Sequence, residues 1–111
     1  MSKFLVLYLA PASAAEAMAG ASPEDMQKGM EPWMAWAARC GDQLVDMGSP
    51  LGTGQRMTSS GSAPSGTEVT GYSILEAADM AAAKALLDGH PHLSWADGCA
   101  IDVHEATPMG M

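Results

Sequence analysis

Residues 3–10, KFLVLYLA, restrict the possible folds more than any other stretch of the chain. In an extended strand, successive side chains point to opposite faces of a sheet. One face would carry Phe4, Val6 and Tyr8, and the other Leu5, Leu7 and Leu9. A strand that is apolar on both faces belongs in the middle of a sheet that is covered on both sides. We therefore predict a central strand here, with a layer packed against each of its faces.

Composition and charge exclude several classes of function. The 111 residues form one domain, 1–111, and 48% of them are hydrophobic, which is enough for a core. The net charge is −8, and the five basic residues are scattered, so no Lys/Arg cluster could neutralise phosphates. We therefore expect neither a nucleic-acid nor a membrane partner. Cys40 and Cys99 lack metal-ligand spacing, and we expect reduced thiols in a cytoplasmic protein.

The N-terminal segment allows one alternative interpretation. A basic start, an apolar run and a small-residue stretch, MSK-FLVLYLA-PASAA, have the outline of a signal peptide. Cleavage after about residue 14 would make this a small secreted protein, but it would remove the best strand in the chain. We expect the segment to be retained, and the intact mass of the native protein tests this.

A long first helix is predicted after a small-residue loop. Ser22 is a typical N-cap, and Pro23 is followed by an acidic first turn. Apolar residues at helical spacing predict a helix over about 23–47. Because Pro32 lies inside this segment, we expect a kink or break near residues 29–32.

The remaining elements follow from glycine, proline and alternation signals. They are a weak edge strand at 51–57, a flexible loop at 58–67, a strand at 68–76, a helix from Met80 to Asp88 and a last strand at 99–106. Asp79 is the predicted N-cap of the second helix, and Gly89 marks its end.

This order, β-α-β-β-α-β, is that of the ferredoxin-like fold, an α+β plan with a four-stranded antiparallel sheet. Right-handed crossovers place both helices on one face of the sheet, with the first and third strands in its centre. The other face would stay apolar and uncovered, and an apolar face of that size predicts a partner. We expect a homodimer joined through this open sheet face.

Several segments together resemble the YCII-related (YciI-like) family. They are MSKFLVLYLAP, SPEDM, GDQLVDMGSPL, GYSILEAADMAAA, GHPHL and a closing strand that runs into PM. The resemblance covers nearly the whole chain and rests on this distributed pattern, without one diagnostic motif. It implies a dimeric α+β barrel in a small cytoplasmic protein. Some relatives are associated with dehydrochlorination of hydroxylated aromatics by a His and an Asp, without metal or organic cofactor.

One departure limits what the resemblance implies about chemistry. Family members thought to be active carry a His in their N-terminal half, paired with an Asp, whereas no histidine precedes His90 here. The DGPF tetrapeptide of the sister subfamily is also missing. The family's catalytic pair therefore has no counterpart at the matching positions of this chain.

Four residues of the C-terminal third are candidates for acid–base catalysis. His90 and His92 flank Pro91, and an extended His-Pro-His segment places both imidazoles on one side. Asp102 and His104 alternate on the last strand and share a face, where the Asp could orient the His and raise its basicity. In the alternative interpretation, His90 binds carbonyls at the helix end, His92 faces solvent, and the other two lie on a polar edge strand.

Four further residues are candidates for ligand contacts. They are Tyr8 and Tyr72 on the predicted central strands, Trp36, and Asp46, a carboxylate at an unfavourable helix C-terminus. Tyrosines in a cavity could hydrogen-bond a ligand, and three tryptophans with ten methionines suit a pocket for an apolar or aromatic molecule. Each residue also has a structural interpretation, as a packed side chain or a solvated turn. We expect no metal site, because nothing in the spacing forces the histidines and Asp102 to converge.

These features favour a homodimer with a cavity between sheet and helices. The cavity would bind a small organic molecule, and aromatic compounds belong to the expected class. Proton transfer, elimination or isomerisation without any cofactor is one hypothesis for its chemistry. The alternative is a non-catalytic ligand-binding or assembly module. A concave pocket with a His–carboxylate contact and a shifted pKa would favour the enzyme, and a filled, dry interior would favour the module.

Overall fold

The described residues form a strand, a helix, four strands, a second helix and a last strand, two strands more than the predicted order contains. The computed structural model describes residues 1–11, 20, 22–52, 54–65, 68–95 and 98–107. Within them the elements are β1 (Ser2–Leu9), α1 (Pro23–Cys40), β2 (Leu44–Asp46), β3 (Gln55–Thr58), β4 (Gly61–Pro64), β5 (Val69–Ala77), α2 (Met80–Leu87) and β6 (Ala100–Ala106). Short 3₁₀ turns at Gly41–Gln43 and Pro91–Ser94 follow the two helices.

The main sheet has four antiparallel strands in the order β2-β5-β1-β6. The two longest strands, β1 and β5, occupy its centre, as predicted from their apolar alternation. Along β1, Leu7 lies opposite Tyr72 of β5 and Asp102 of β6, which fixes the register of all three strands. The predicted α+β class with a four-stranded antiparallel sheet is therefore confirmed.

Both helices pack on the same face of this sheet. The buried core joins Phe4, Val6 and Tyr8 of β1, Leu75 and Ala77 of β5, Trp36 and Cys40 of α1, and Ala83 and Leu87 of α2. Burying one large apolar side chain of this kind contributes roughly 1.5–3 kcal/mol. The core therefore accounts for one face of β1, while the leucines on its other face receive no cover from either helix.

The first helix is shorter than predicted. Ser22 caps it, accepting a hydrogen bond from the Asp25 amide at 3.1 Å, and Gly41 ends it with a φ of 58°. The helix continues through Pro32 without a break. Proline leaves the carbonyl four residues earlier without its amide donor, and because Pro32 lies on the exposed side of the helix, water can solvate that carbonyl.

The second sheet strand lies earlier than predicted. Residues 44–46 leave α1 and pair with β5, and Pro50 forms a further bridge to Gly71. The prediction of an edge strand at 51–57 is therefore wrong, because β3 pairs with β4 in a separate two-stranded sheet. That small sheet also occupies much of the segment 58–67, which was predicted to be a loop. Gly48 allows the chain to pass close to β5, since a Cβ there would overlap the Tyr72 carbonyl oxygen.

The second helix is short and is capped at both ends. Asp79 accepts a hydrogen bond from the Ala82 amide at 2.8 Å, and Gly89 follows the helix with a φ of 71°, as predicted. Its last carbonyls are bound from α1. The Trp36 indole N–H donates to the Leu86 carbonyl at 2.8 Å, and the Arg39 guanidinium donates to the Asp88 carbonyl at 2.8 Å. A cation at a helix C-terminus also interacts favourably with the helix dipole.

Candidate functional site

The sheet divides the eight predicted site residues into two groups. His90, His92, Tyr8 and Trp36 are buried on the side that carries the helices. Asp102, His104, Tyr72 and Asp46 belong to the opposite side, which we call the open face and which also carries Leu5, Leu7, Leu9 and Ile74. The structure therefore does not bring all the predicted residues into one site, and each group is described separately.

On the helix side, aromatic rings and imidazoles form one packed cluster. The His90 ring centroid lies 4.5 Å from that of Trp33, 4.4 Å from that of Trp36 and 5.0 Å from that of Tyr8. The His92 ring is 5.3 Å from the Tyr8 ring. Edge-to-face arrangements at such distances are the favoured geometry of packed aromatic side chains. The two histidines therefore do lie on one side of Pro91, and that side is the protein interior.

His90 is held in its neutral form. Its side chain is only 1% exposed, and its Nδ1 accepts a hydrogen bond from the His92 amide at 3.0 Å. In the neutral ring the proton is therefore on Nε2, which has no hydrogen-bond partner among the described residues. Burial lowers the pKa of His90 to about 4, and the charges of His92 and Arg39 act in the same direction. Near neutral pH, His90 is therefore not in the imidazolium form that a general acid requires.

His92 is buried as well, and it joins the His-Pro-His corner to the sheet. Its Nε2 lies 2.8 Å from the Leu9 carbonyl oxygen, which can only accept, so Nε2 carries the proton. The interpretation in which His92 faces solvent is therefore wrong, since the residue is 3% exposed. The contact fixes the corner against the end of β1.

Tyr8 begins a short chain of hydroxyl hydrogen bonds. Its phenol oxygen is 2.7 Å from Ser73 Oγ, and Ser73 Oγ is 2.7 Å from the Met47 carbonyl oxygen. Because the serine proton is donated to the carbonyl, the tyrosine must donate to the serine. Burial raises the pKa of the Tyr8 phenol to about 12, despite the opposing effect of the Ser73 hydrogen bond. Tyr8 thus keeps its proton.

These contacts make the helix-side cluster a structural core. The space between sheet and helices, where we expected a cavity, is occupied by the packed rings of this cluster. His90 stays neutral, Tyr8 stays protonated, and Trp36 uses its N–H to hold α2. Within the described residues neither histidine makes an ion pair with a carboxylate. The arrangement stabilises the fold, and each of these side chains is already held by packing or by a hydrogen bond.

The open face presents an apolar strip that the described part of the chain leaves uncovered. Leu5, Leu7 and Leu9 of β1 are partly or largely exposed, with Leu5 at 38%. Ile74 of β5 lies opposite Leu5, and Tyr72 lies opposite Leu7. The chain measures 20 Å in its thinnest direction, which suits one helix layer on one sheet layer. The strip is thus continuous across the two central strands.

Polar groups flank this strip on both sides. The Tyr72 hydroxyl donates to the Asp46 carboxylate at 3.4 Å, and that carboxylate also accepts from the Gly48 amide at 2.8 Å. On the other side of Leu7 stands Asp102. Adjacent strands are about 4.8 Å apart, so about 10 Å separates the backbones of Tyr72 and Asp102 across β1.

Asp102 and His104 share the open face, as their spacing predicts, but they do not touch. Asp102 lies opposite Leu7, and His104 lies opposite Leu5. Among the described residues, neither forms an ion pair or a side-chain hydrogen bond. Both are exposed on β6, which is an edge of the sheet. The Asp therefore does not orient the His within a single chain.

Two residues outside the predicted set complete the helix-side cluster. Ser73 receives the Tyr8 hydrogen bond, and Trp33 packs against both Tyr8 and His90. A signal for Ser73 is present in the sequence, because it is the small polar residue at an inward position of a strand whose neighbours on that face are apolar. Trp33 is three residues before Trp36, and that spacing places both on one helix face.

Other possible sites lie away from the predicted residues. Two shallow surface depressions occur near β3 and β4, and none of the eight predicted residues lines them. Across the ranges that the structure describes, no three His, Cys, Asp or Glu side chains are placed to hold a metal ion. In the same ranges, no helix combines the length and apolar character that crossing a membrane requires.

Comparison with known protein families and with curated proteins found no match to this chain. The resemblance to the YCII-related family therefore remains a proposal.

Proposed function

We propose that the chain functions as a homodimer in which two open faces pack against each other, as in a dimeric α+β barrel of ferredoxin-like subunits. The strand order β2-β5-β1-β6, with both helices on one side, is compatible with that topology. The apolar strip of Leu5, Leu7 and Leu9 supports the pairing, because a second copy would cover it. The YCII-like resemblance points to the same assembly.

The space between the two sheets would bind a small organic molecule, with a hydroxylated aromatic ring as the favoured class. One observation carries this proposal: polar groups stand on both sides of an apolar strip, Tyr72 with Asp46 on one side and Asp102 on the other. Ligand sites are typically apolar with a few polar groups that fix orientation. A ring lying over Leu7 would bury its faces on leucine and place hydroxyl groups near the carboxylates.

Acid–base chemistry on such a ligand would use His104, Asp102 and Tyr72. Histidine is the side chain that most readily exchanges protons near neutral pH, and carboxylates can accept a phenolic proton. His90 and His92 would hold the fold and take no part in this chemistry. Elimination or isomerisation without metal or organic cofactor agrees with the family resemblance, although the family's N-terminal histidine is missing.

A non-catalytic assembly or ligand-binding module is the second candidate. It is favoured by the filled helix side and by the separation of His104 from Asp102, because no His–carboxylate contact is present in the described chain. In that case the open face would serve only to join subunits. Ligand binding separates the two candidates.

The dimer is tested by placing a charge in the apolar strip. Leu7→Asp would bury a carboxylate between the sheets, which costs several kcal/mol, and we expect a monomer or an aggregate. The matched control is Leu93→Asp, because Leu93 is 47% exposed on the helix side, and it should leave the dimer intact. Sedimentation of both variants gives the answer, and a soluble, unchanged Leu7→Asp dimer would contradict sheet-to-sheet pairing.

The ligand is tested by NMR titration with hydroquinone and chlorohydroquinone, with cyclohexanol as the non-aromatic control. We expect the two phenols to shift the backbone amides of Leu7 and Tyr72. Tyr72→Phe should weaken that binding without dissociating the dimer. If neither phenol shifts these amides in a confirmed dimer, the assembly module is correct and the binding proposal is wrong. Turnover of the chlorinated probe, lost in His104→Gln, would establish the enzyme.

A further inference from the structure

The second sheet forms an arm that stands apart from the core. This hairpin arm, residues Gln55–Pro64, consists of β3 and β4 joined by a tight turn. Every residue in it is exposed, and Met57 is 83% exposed. A two-stranded hairpin without a packing partner is at best marginally stable in water. The arm therefore has two uncovered faces, and none of the described residues packs against them.

The arm differs in charge from the rest of the protein. The chain carries a net charge of −8, yet the stretch 47–67 contains Arg56 and no Asp or Glu. Glu68, at the base of the arm, lines the same surface depression as Arg56 without forming an ion pair with it. The arm is thus a basic extension of a strongly acidic body.

The open face, in contrast, carries carboxylates that a second copy would bury. When a second copy covers this face, Asp102 loses water, and a desolvated carboxylate is unfavourable unless it is paired. Within the described residues Asp102 has no ion-pair partner. The Asp46 carboxylate differs from that of Asp102, since it already accepts two hydrogen bonds.

Three of the five cations lie on the helix side. Lys28 and Lys84 lie on the helices, on the far side of the sheet, and Arg39 binds carbonyls at the end of α2. Lys3 lies on the open face, opposite Glu76 and four residues along β1 from Leu7, the neighbour of Asp102. Of the two cations that are not on the helix side, Arg56 is the one whose cross-strand neighbour, Ala63, is uncharged.

We propose that the hairpin arm of each subunit clasps the second copy and that its Arg56 pairs with Asp102 there, next to the proposed ligand site. This inference rests on the homodimer proposed above. Strands of four residues extend about 13 Å, and stacked sheets lie about 10 Å apart. The arm is therefore long enough to reach the main sheet of the second copy.

Removing the arm tests the clasp. Ser65 donates a backbone hydrogen bond to the Gly54 carbonyl at 3.1 Å, so residues 55–64 can be replaced by an Asn-Gly turn without opening the hairpin base. The dissociation constant of the dimer, measured by sedimentation, should rise at least about tenfold. Circular dichroism and the NMR spectrum of the core should be unchanged.

Charge reversal tests the pair itself. Arg56→Glu should weaken the dimer about tenfold, whereas Lys28→Glu, which makes the same change in net charge on α1, should change the dissociation constant less than about twofold. Combining Arg56→Asp with Asp102→Arg should restore affinity. Equal weakening by Arg56→Glu and Lys28→Glu, or no rescue by the swap, would overturn the pairing.

The outcomes also separate this inference from the dimer on which it rests. If Leu7→Asp dissociates the protein while removal of the arm leaves the dissociation constant unchanged, the clasp is wrong and sheet-to-sheet pairing stands. If the wild-type protein is a monomer, both fail.

Discussion

Burial of His90 makes the protein sensitive to mild acid. The residue is 1% exposed, and its pKa is lowered to about 4 from the ordinary value of 6.5. The unfolded chain therefore binds a proton between pH 6.5 and 4 that the folded chain excludes. Because the unfolded state binds more protons in this window, the free energy of unfolding falls as the pH is lowered through it. Above pH 6.5 both states are neutral at this position, and the effect vanishes.

The size of the effect follows from the two pKa values. Between pH 7.5 and pH 5.0, a histidine that titrates at 6.5 when unfolded and at about 4 when folded reduces the free energy of unfolding by about 2 kcal/mol. His90→Gln keeps an acceptor for the His92 amide but has no titratable group. We expect urea denaturation of this variant to show a loss about 2 kcal/mol smaller than that of the wild type over the same interval.

A second measurement uses the wild-type protein and so does not depend on how well the variant folds. In the wild-type protein, the His90 ring signals followed by NMR should not titrate between pH 8 and pH 5. A His90 midpoint at or above pH 6, or parallel stability curves for wild type and His90→Gln, would refute the assignment of this residue as a buried neutral core histidine.

Three further substitutions, with Gly29→Ala as a control, test how the fold is held together. Gly48→Ala should lower the free energy of unfolding by about 3 kcal/mol, because a Cβ would overlap a β5 carbonyl oxygen, whereas Gly29→Ala, in open space on α1, should be neutral or stabilising. Tyr8→Phe should cost about 1–2 kcal/mol by removing the donor to Ser73, with no change in the shape of the core. Trp36→Phe should cost about 1–3 kcal/mol and increase hydrogen exchange in the last turn of α2, whose carbonyl it releases. An unchanged denaturation midpoint for Gly48→Ala or Tyr8→Phe, or unchanged exchange for Trp36→Phe, would contradict the corresponding contact.

Much of the fold could be predicted because local signals and hydrophobic alternation agree. The apolar run of β1 placed it in the centre of the sheet, and Ser22, Asp79 and Gly89 cap the helices as their residue types predict. The second strand was misplaced because Leu44 and Val45 continue the helical spacing of α1. Gly41, which ends the helix with a positive φ of 58°, is the signal that outweighs this periodicity.

The candidate site was harder to predict, because a strand pattern gives the faces of a sheet but not what covers each face. Alternation correctly grouped Asp102 with His104, yet it could not show that their side chains stand apart. The histidines beside Pro91 have the composition of a catalytic site, and only the packing of Trp33 and Trp36 around His90 makes them part of the core. Such packing depends on contacts far apart in the sequence.

The central claim is that the uncovered sheet face joins two copies of the chain, and the molar mass of the wild-type protein in solution tests it most directly. Light scattering during size-exclusion chromatography at micromolar concentration should give twice the 11.4 kDa of one chain. A monodisperse species of 11.4 kDa under those conditions would contradict the account, since Leu5, Leu7 and Leu9 would then remain in contact with water.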